Sequence, residues 1–262
     1  MKVFLKATAL SIALCCLASA ATLSLNSSTG TWISVIPAAT PGLTGETTSH
    51  VQWGTPGSLA DNPLGLKSGY QFNGAAPPPV LGINLDTNFL LGTFIHENNA
   101  IVPGTSISQV TLRILLELGI PDGPTNVGPL AFDYIFQHDE TNNGASPCAY
   151  VAPENTNPTP NITPVGFAGP SCDDRVFIAN SIPATNFLIG STLYTLNLVG
   201  FSQNGGVTIR DKFYTTEDID NSAQLFAKIT AAEQTAPEPA SFMLIGGGML
   251  ALGLGLRKRV IR

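Results

Sequence analysis

The chain predicts an all-β body, an antiparallel β-sandwich of jelly-roll-like type, flanked by an N-terminal signal peptide and a C-terminal hydrophobic tail helix. Three observations carry this. Between the two ends, no segment sustains a 3.6-residue hydrophobic period over helix length. The body consists instead of short runs in which apolar and polar residues alternate. The clearest covers 110–118, where Val110, Leu112, Ile114, Leu116 and Leu118 share one face and Thr111, Arg113 and Glu117 the other, with Leu115 the exception. These runs are cut by turn formers, 26 glycines and 20 prolines in the chain, and many short strands between frequent breakers describe a sandwich.

In chain order, residues 1–20 read as a secretory signal peptide. Lys2 and Lys6 give a basic start, residues 7–17 an apolar run, and Ala18-Ser19-Ala20 a small-residue cleavage site for signal peptidase. Cys15 and Cys16 lie in the apolar run, but Leu14 stands where lipoprotein processing needs a small residue. Residues 21–230 form the body, with strands expected over 31–36, 50–53, 69–72, 89–96, 110–118, 131–138, 174–179, 192–201, 207–209 and 224–229. Phe132, Tyr134 and Phe136 alternate with Asp133, Ile135 and Gln137; Tyr194, Leu196 and Leu198 oppose Thr195 and Asn197. A helix would scatter each set around its circumference.

Loops are expected over 61–67, over 73–82 with the stiff Pro77-Pro78-Pro79, and over the long stretch 139–173. Gly205-Gly206 reads as a hairpin turn. Two cysteines stay in the body, and in an exported chain Cys148 and Cys172 are expected to pair. Closing a loop of about 25 residues, such a disulfide contributes roughly 3 kcal/mol by the chain-entropy argument.

A linker over 231–236 leads to the last segment, 237–262. Pro237-Glu238-Pro239 is followed by an apolar run and then by Arg257-Lys258-Arg259. Residues 240–256 are just long enough to span a bilayer as a helix, at about 1.5 Å per residue. The basic cluster would stay cytoplasmic and leave the body outside the inner membrane.

Charge narrows the partners. Of 12 basic and 18 acidic residues, the two ends hold Lys2, Lys6, Arg257, Lys258, Arg259, Arg262 and Glu238, which leaves the body 6 basic and 17 acidic, a net charge of −11. Phosphate backbones are bound by clustered Lys and Arg, so no nucleic-acid partner is expected. Cations are the natural counter-ligands of such a surface.

The order Pro237-Glu238-Pro239, apolar span with Gly246-Gly247-Gly248, Arg257-Lys258-Arg259 resembles a PEP-CTERM sorting signal. That resemblance implies a Gram-negative bacterium with an exopolysaccharide matrix, an exosortase that recognises and removes the tail, and an extracellular or cell-surface destination. The body carries Gly30-Thr31-Trp32, Val51-Gln52-Trp53-Gly54, Ser68-Gly69-Tyr70-Gln71-Phe72, Leu91-Gly92-Thr93-Phe94-Ile95-His96-Glu97-Asn98, His138-Asp139-Glu140-Thr141, Asn143, Cys148 and Cys172-Asp173-Asp174 in that order. In this it resembles the PEP-CTERM cargo family named for a Thr-His-x-Asn (THxN) motif, close to the choice-of-anchor proteins. Ile95 stands in place of the motif's Thr. The resemblance implies export and anchoring but no reaction.

Four chemistries are considered for the body. Asp139, Glu140, Asn143, Asp173 and Asp174 flank the long loop and offer the hard oxygen donors that calcium takes, although the same residues also cap turns. His96 and Asn98, at a strand end, are candidate ligand residues, and His50 and His138 lie at similar positions; together the three histidines are the zinc alternative. Trp53, with Trp32, Tyr70 and Phe72, would form a stacking platform for exopolysaccharide if exposed, and core if not. A hydrolase is disfavoured, because the adjacent Asp139 and Glu140 point to opposite faces of a strand and no Gly-x-Ser-x-Gly elbow or P-loop occurs. The sequence therefore predicts a non-enzymatic exported protein.

Overall fold

The computed structural model describes residues 22–75, 80–120, 127–142, 149, 172–179, 185–190 and 192–231. The expected signal peptide, Pro77-Pro78-Pro79, Asn143, Cys148, most of the loop expected over 139–173 and all of the expected tail segment 237–262 lie outside the described residues.

The described residues form twelve strands and no helix. They are β1 (Leu23–Ile36), β2 (His50–Trp53), β3 (Ser68–Gly74), β4 (Val80–Ile83), β5 (Asn88–Asn98), β6 (Gln109–Gly119), β7 (Val127–Asp139), β8 (Asp174–Ile178), β9 (Thr185–Ile189), β10 (Thr192–Ser202), β11 (Lys212–Thr215) and β12 (Ile219–Ala231). Two six-stranded sheets result, in the orders β11-β8-β7-β6-β1-β4 and β2-β3-β5-β12-β10-β9. All their strand pairs are antiparallel. The all-β sandwich expected from the sequence is thus the architecture.

Alternation does what the pattern requires. Val110, Leu112, Ile114, Leu116 and Leu118 of β6 are all buried, while Arg113 and Leu115 face out. Arg113 meets Asp133 of β7 in a two-bond ion pair on that outer face. The centre between the sheets is aromatic. Phe94 of β5 lies with ring centroids 5.7 Å from Trp32, 4.8 Å from Tyr70, 5.2 Å from Phe136 and 5.4 Å from Phe201. Gly30 of β1 allows this approach: a Cβ there would stand 2.3 Å from the Phe72 ring.

The structure corrects several boundaries. Residues 207–209 are not a strand: Val207 is exposed after the Gly205-Gly206 turn, and the pairing strand is β11, further along. Edge strands β4 and β9 are additional. β1 begins well before residue 31, because Leu23 and Leu25 point inward through a polar run of Ser and Asn.

Candidate functional site

At one end of the sandwich, four strands change character at the same level. Phase alone places the side chains. In β5 the inward series Leu91, Phe94 continues to His96 and Asn98. In β7 the series Phe132, Tyr134, Phe136 continues to His138. Val176 of β8 gives way to Asp174, and Phe213 of β11 to Thr215. All five of these polar side chains are buried. Glu140, just past β7, and Glu217, in the turn before β12, complete the group.

Two overlapping sets of donors converge. His96, His138 and Asp174 place ligand-type atoms within 4.8 Å of one another, and so do Glu140, Asp174 and Glu217. Each group is held from behind. The His96 Nδ1 is 2.8 Å from Thr215 Oγ1, and Asn98 Nδ2 donates to the Thr215 carbonyl at 3.1 Å. His138 Nδ1 is 2.5 Å from the Tyr70 hydroxyl, and its Nε2 is 3.2 Å from Glu140 Oε2. Ser106 donates to that same Glu140 oxygen at 2.9 Å. Asp174 Oδ1 accepts from the Thr141 backbone N–H at 2.8 Å. Asn221 fixes the turn that carries Glu217, accepting from Thr216 N–H and donating to the Thr216 and Ile219 carbonyls.

The opposite atoms are different. His96 Nε2, Asp174 Oδ2 and Asn98 Oδ1 are buried and have no hydrogen-bond partner. Buried polar atoms are nearly always satisfied, so three at one place is unusual. Burial, with Glu140 nearby as a second cause, pushes the Asp174 carboxyl up to about 7. Burial, and then the neighbouring His138, holds His96 well below the ordinary histidine value, so its imidazole is neutral at pH 7. Around the two rings, Trp53 stacks on His96 at 6.1 Å and meets His138 edge-on at 5.4 Å. A cavity of about 600 Å³ adjoins the cluster; Glu140 belongs to both, and Asp61, Ser58, Val102 and Ser106 line its other sides.

Several sequence expectations change here. His96, Asn98, Glu140 and Asp174 come together, but their neighbours in sequence do not join them. Asp139 faces outward, paired with Arg175. Asp173 is half-buried beside Asp174, with its side chain outside both donor sets, and Asn143 lies outside the described residues. His50 is on the outer face, 2.9 Å from Glu97, so a three-histidine zinc site does not form. Trp32, Trp53, Tyr70 and Phe72 are all buried and cannot stack on a sugar. Cys172 is buried, and its expected partner Cys148 lies outside the described residues. Sequence reasoning missed Glu217 altogether, for it sits in a turn between strands that the hydrophobic pattern did not mark. His138 was legible from the phase of Phe132, Tyr134 and Phe136.

Residues 235–259 match the PEP-CTERM protein-sorting motif. The match marks the chain as an exported protein addressed to an exosortase, with a cell-surface or extracellular location and a C-terminal anchor before processing. No curated protein matches the chain.

Proposed function

We propose that the protein is a non-enzymatic structural component of the cell envelope or exopolysaccharide matrix, delivered there as a folded sandwich by its C-terminal signal. The observation that carries this is the sorting motif at 235–259 behind an all-β body. The body's acidic surface and its likeness to the THxN cargo family support the same reading. In this oxidising location Cys148 and Cys172 close the long loop as a disulfide. The apolar run is a transient membrane anchor, lost when exosortase acts.

Carbohydrate binding stays as the second reading on one observation, the cavity beside Glu140 with its hydroxyl and carboxylate lining. It has lost the aromatic platform that first suggested it.

Fractionation of the native host, with intact-mass measurement of the recovered protein, tests the proposal. The expected species begins near Ala21, lacks the apolar tail and is found outside the inner membrane. Replacing Arg257, Lys258 and Arg259 by Ala should leave the body unprocessed. A cytoplasmic, full-length chain would overturn the reading, and so would turnover of matrix polysaccharide by the purified protein.

A further inference from the structure

We propose that the buried cluster is a binding site for a divalent first-row transition metal of the zinc type, with His96 Nε2, His138 Nε2 and Asp174 Oδ2 as its core ligands and Glu140 and Glu217 completing the shell. The site ties one sheet of the sandwich to the other: His96 comes from β5, whereas His138 and Asp174 come from β7 and β8 of the facing sheet.

The donor atoms themselves are the first argument. Buried carboxylates are paired or bind a cation, and the two donor sets meet at the buried Asp174, one adding two imidazoles and the other the buried Glu217 and the half-buried Glu140. Arg175, next in sequence to Asp174, is turned outward to Asp139. A divalent ion supplies the counter-charge inside. His96 Nε2 and Asp174 Oδ2, both on fully buried side chains, make no hydrogen bond, and both belong to the same set of three donors.

The backing of each donor is the second argument. Histidines that bind metal use one ring nitrogen and donate the other N–H to an acceptor that fixes ring and tautomer. His96 has this arrangement, with Nδ1 on the Thr215 hydroxyl and Nε2 directed at the cluster. Tyr70 serves His138 in the same way: with metal on Nε2, the Nδ1–H donates to the Tyr70 oxygen and Glu140 becomes a neighbouring ligand rather than a hydrogen-bond acceptor. Thr141 occupies Asp174 Oδ1 and leaves Oδ2 for the ion.

Geometry and access complete the case. Zinc bonds of about 2.0–2.2 Å hold tetrahedral ligands roughly 3.4 Å apart. Donor atoms within 4.8 Å of one another reach that spacing by inward movement of about 1 Å, less than one rotamer step. Glu140, with its side chain 19% exposed, links the site to the open cavity and gives the ion a way in. Two imidazole nitrogens select the transition series over calcium, which takes oxygen alone.

The test uses the exported protein purified from its host without chelators. Elemental analysis should find about one transition-metal ion per chain. Stripping with chelator should lower the melting temperature by about 5–10 °C, and zinc should restore it. Cobalt added to the stripped protein should give visible absorption bands of mixed nitrogen and oxygen ligation. Asp174→Asn, which keeps the Thr141 contact, should abolish binding and the chelator response while near-ultraviolet circular dichroism stays native. If that variant does not fold, the stripping and cobalt measurements on the unaltered protein still decide. A folded stripped protein that takes up neither zinc, manganese nor cobalt would overturn the proposal, as would binding of calcium alone. Neither result touches the localisation argued above.

Discussion

The aromatic centre and the polar end of this sandwich are built from the same strands in the same phase, yet they solve opposite problems. In the centre, Phe94, Phe136, Phe201 and Trp32 fill the gap between sheets, and the one polar atom among them, Trp32 Nε1, donates to the Ser49 carbonyl. One inward position further on, β5 and β7 present His96 and His138, and β8 and β11, past Val176 and Phe213, present Asp174 and Thr215, whose polar atoms must be satisfied. The centre gains stability by excluding water, and its residues are exchangeable by volume. The end is specified by hydrogen-bonding geometry, and its residues are not exchangeable. Hydrophobic alternation therefore positions the cluster without explaining it; what explains it is the set of second contacts from Thr215, Tyr70 and Thr141.

The largest effect should come from breaking the centre. Phe94→Ala removes a fully buried ring with aromatic neighbours in both sheets and should cost about 3–5 kcal/mol in denaturant unfolding. Metal content per folded molecule should be unchanged. Loss of metal from folded Phe94→Ala protein would mean that the two regions are one cooperative unit.

At the polar end, Tyr70→Phe separates packing from orientation. The ring still fills its place against Trp53 and Phe94, and only the hydroxyl behind His138 is lost. Zinc affinity should fall roughly 10–100-fold in a competition titration, with a smaller change in the melting temperature of the stripped protein. Unaltered affinity would remove Tyr70 from the site. Gly30→Ala is the packing counterpart: its new methyl would stand against the Phe72 ring and Leu112, costing about 1–3 kcal/mol while zinc affinity holds.

How much of this was legible in the sequence follows the same division. β2 and the phases of β5, β6 and β7 can be read directly, because their inward residues are large and apolar. β9 and β11 are harder, being short and flanked by polar residues, and the apolar-looking 207–209 drew attention that belonged to Phe213. The site was half visible. His96 and Asn98, two apart in a strand, had to share a face. The doublets Asp139-Glu140 and Asp173-Asp174 could not each contribute both members, since adjacent strand residues point opposite ways. Which member faces inward depends on phase at the strand end, and phase is set by Phe136 and Val176, several residues away. Glu217 was beyond reach because a turn has no period.

That last distinction offers the smallest and most discriminating change. Asp139 and His138 are neighbours, but Asp139 lies on the outer face in an ion pair with Arg175, both side chains about a third exposed. Asp139→Asn should lower stability by no more than about 1 kcal/mol, as partly exposed pairs do, and high salt should shrink the difference further. Metal stoichiometry and zinc affinity should equal those of the unaltered protein, whereas the same carboxylate-to-amide change at Asp174 abolishes binding. Two chemically identical substitutions would then differ only in the face of the sheet from which each residue points. If Asp139→Asn loses metal instead, the strand phase through β7 is wrong at its end, and the cluster would have to be rebuilt around Asp139.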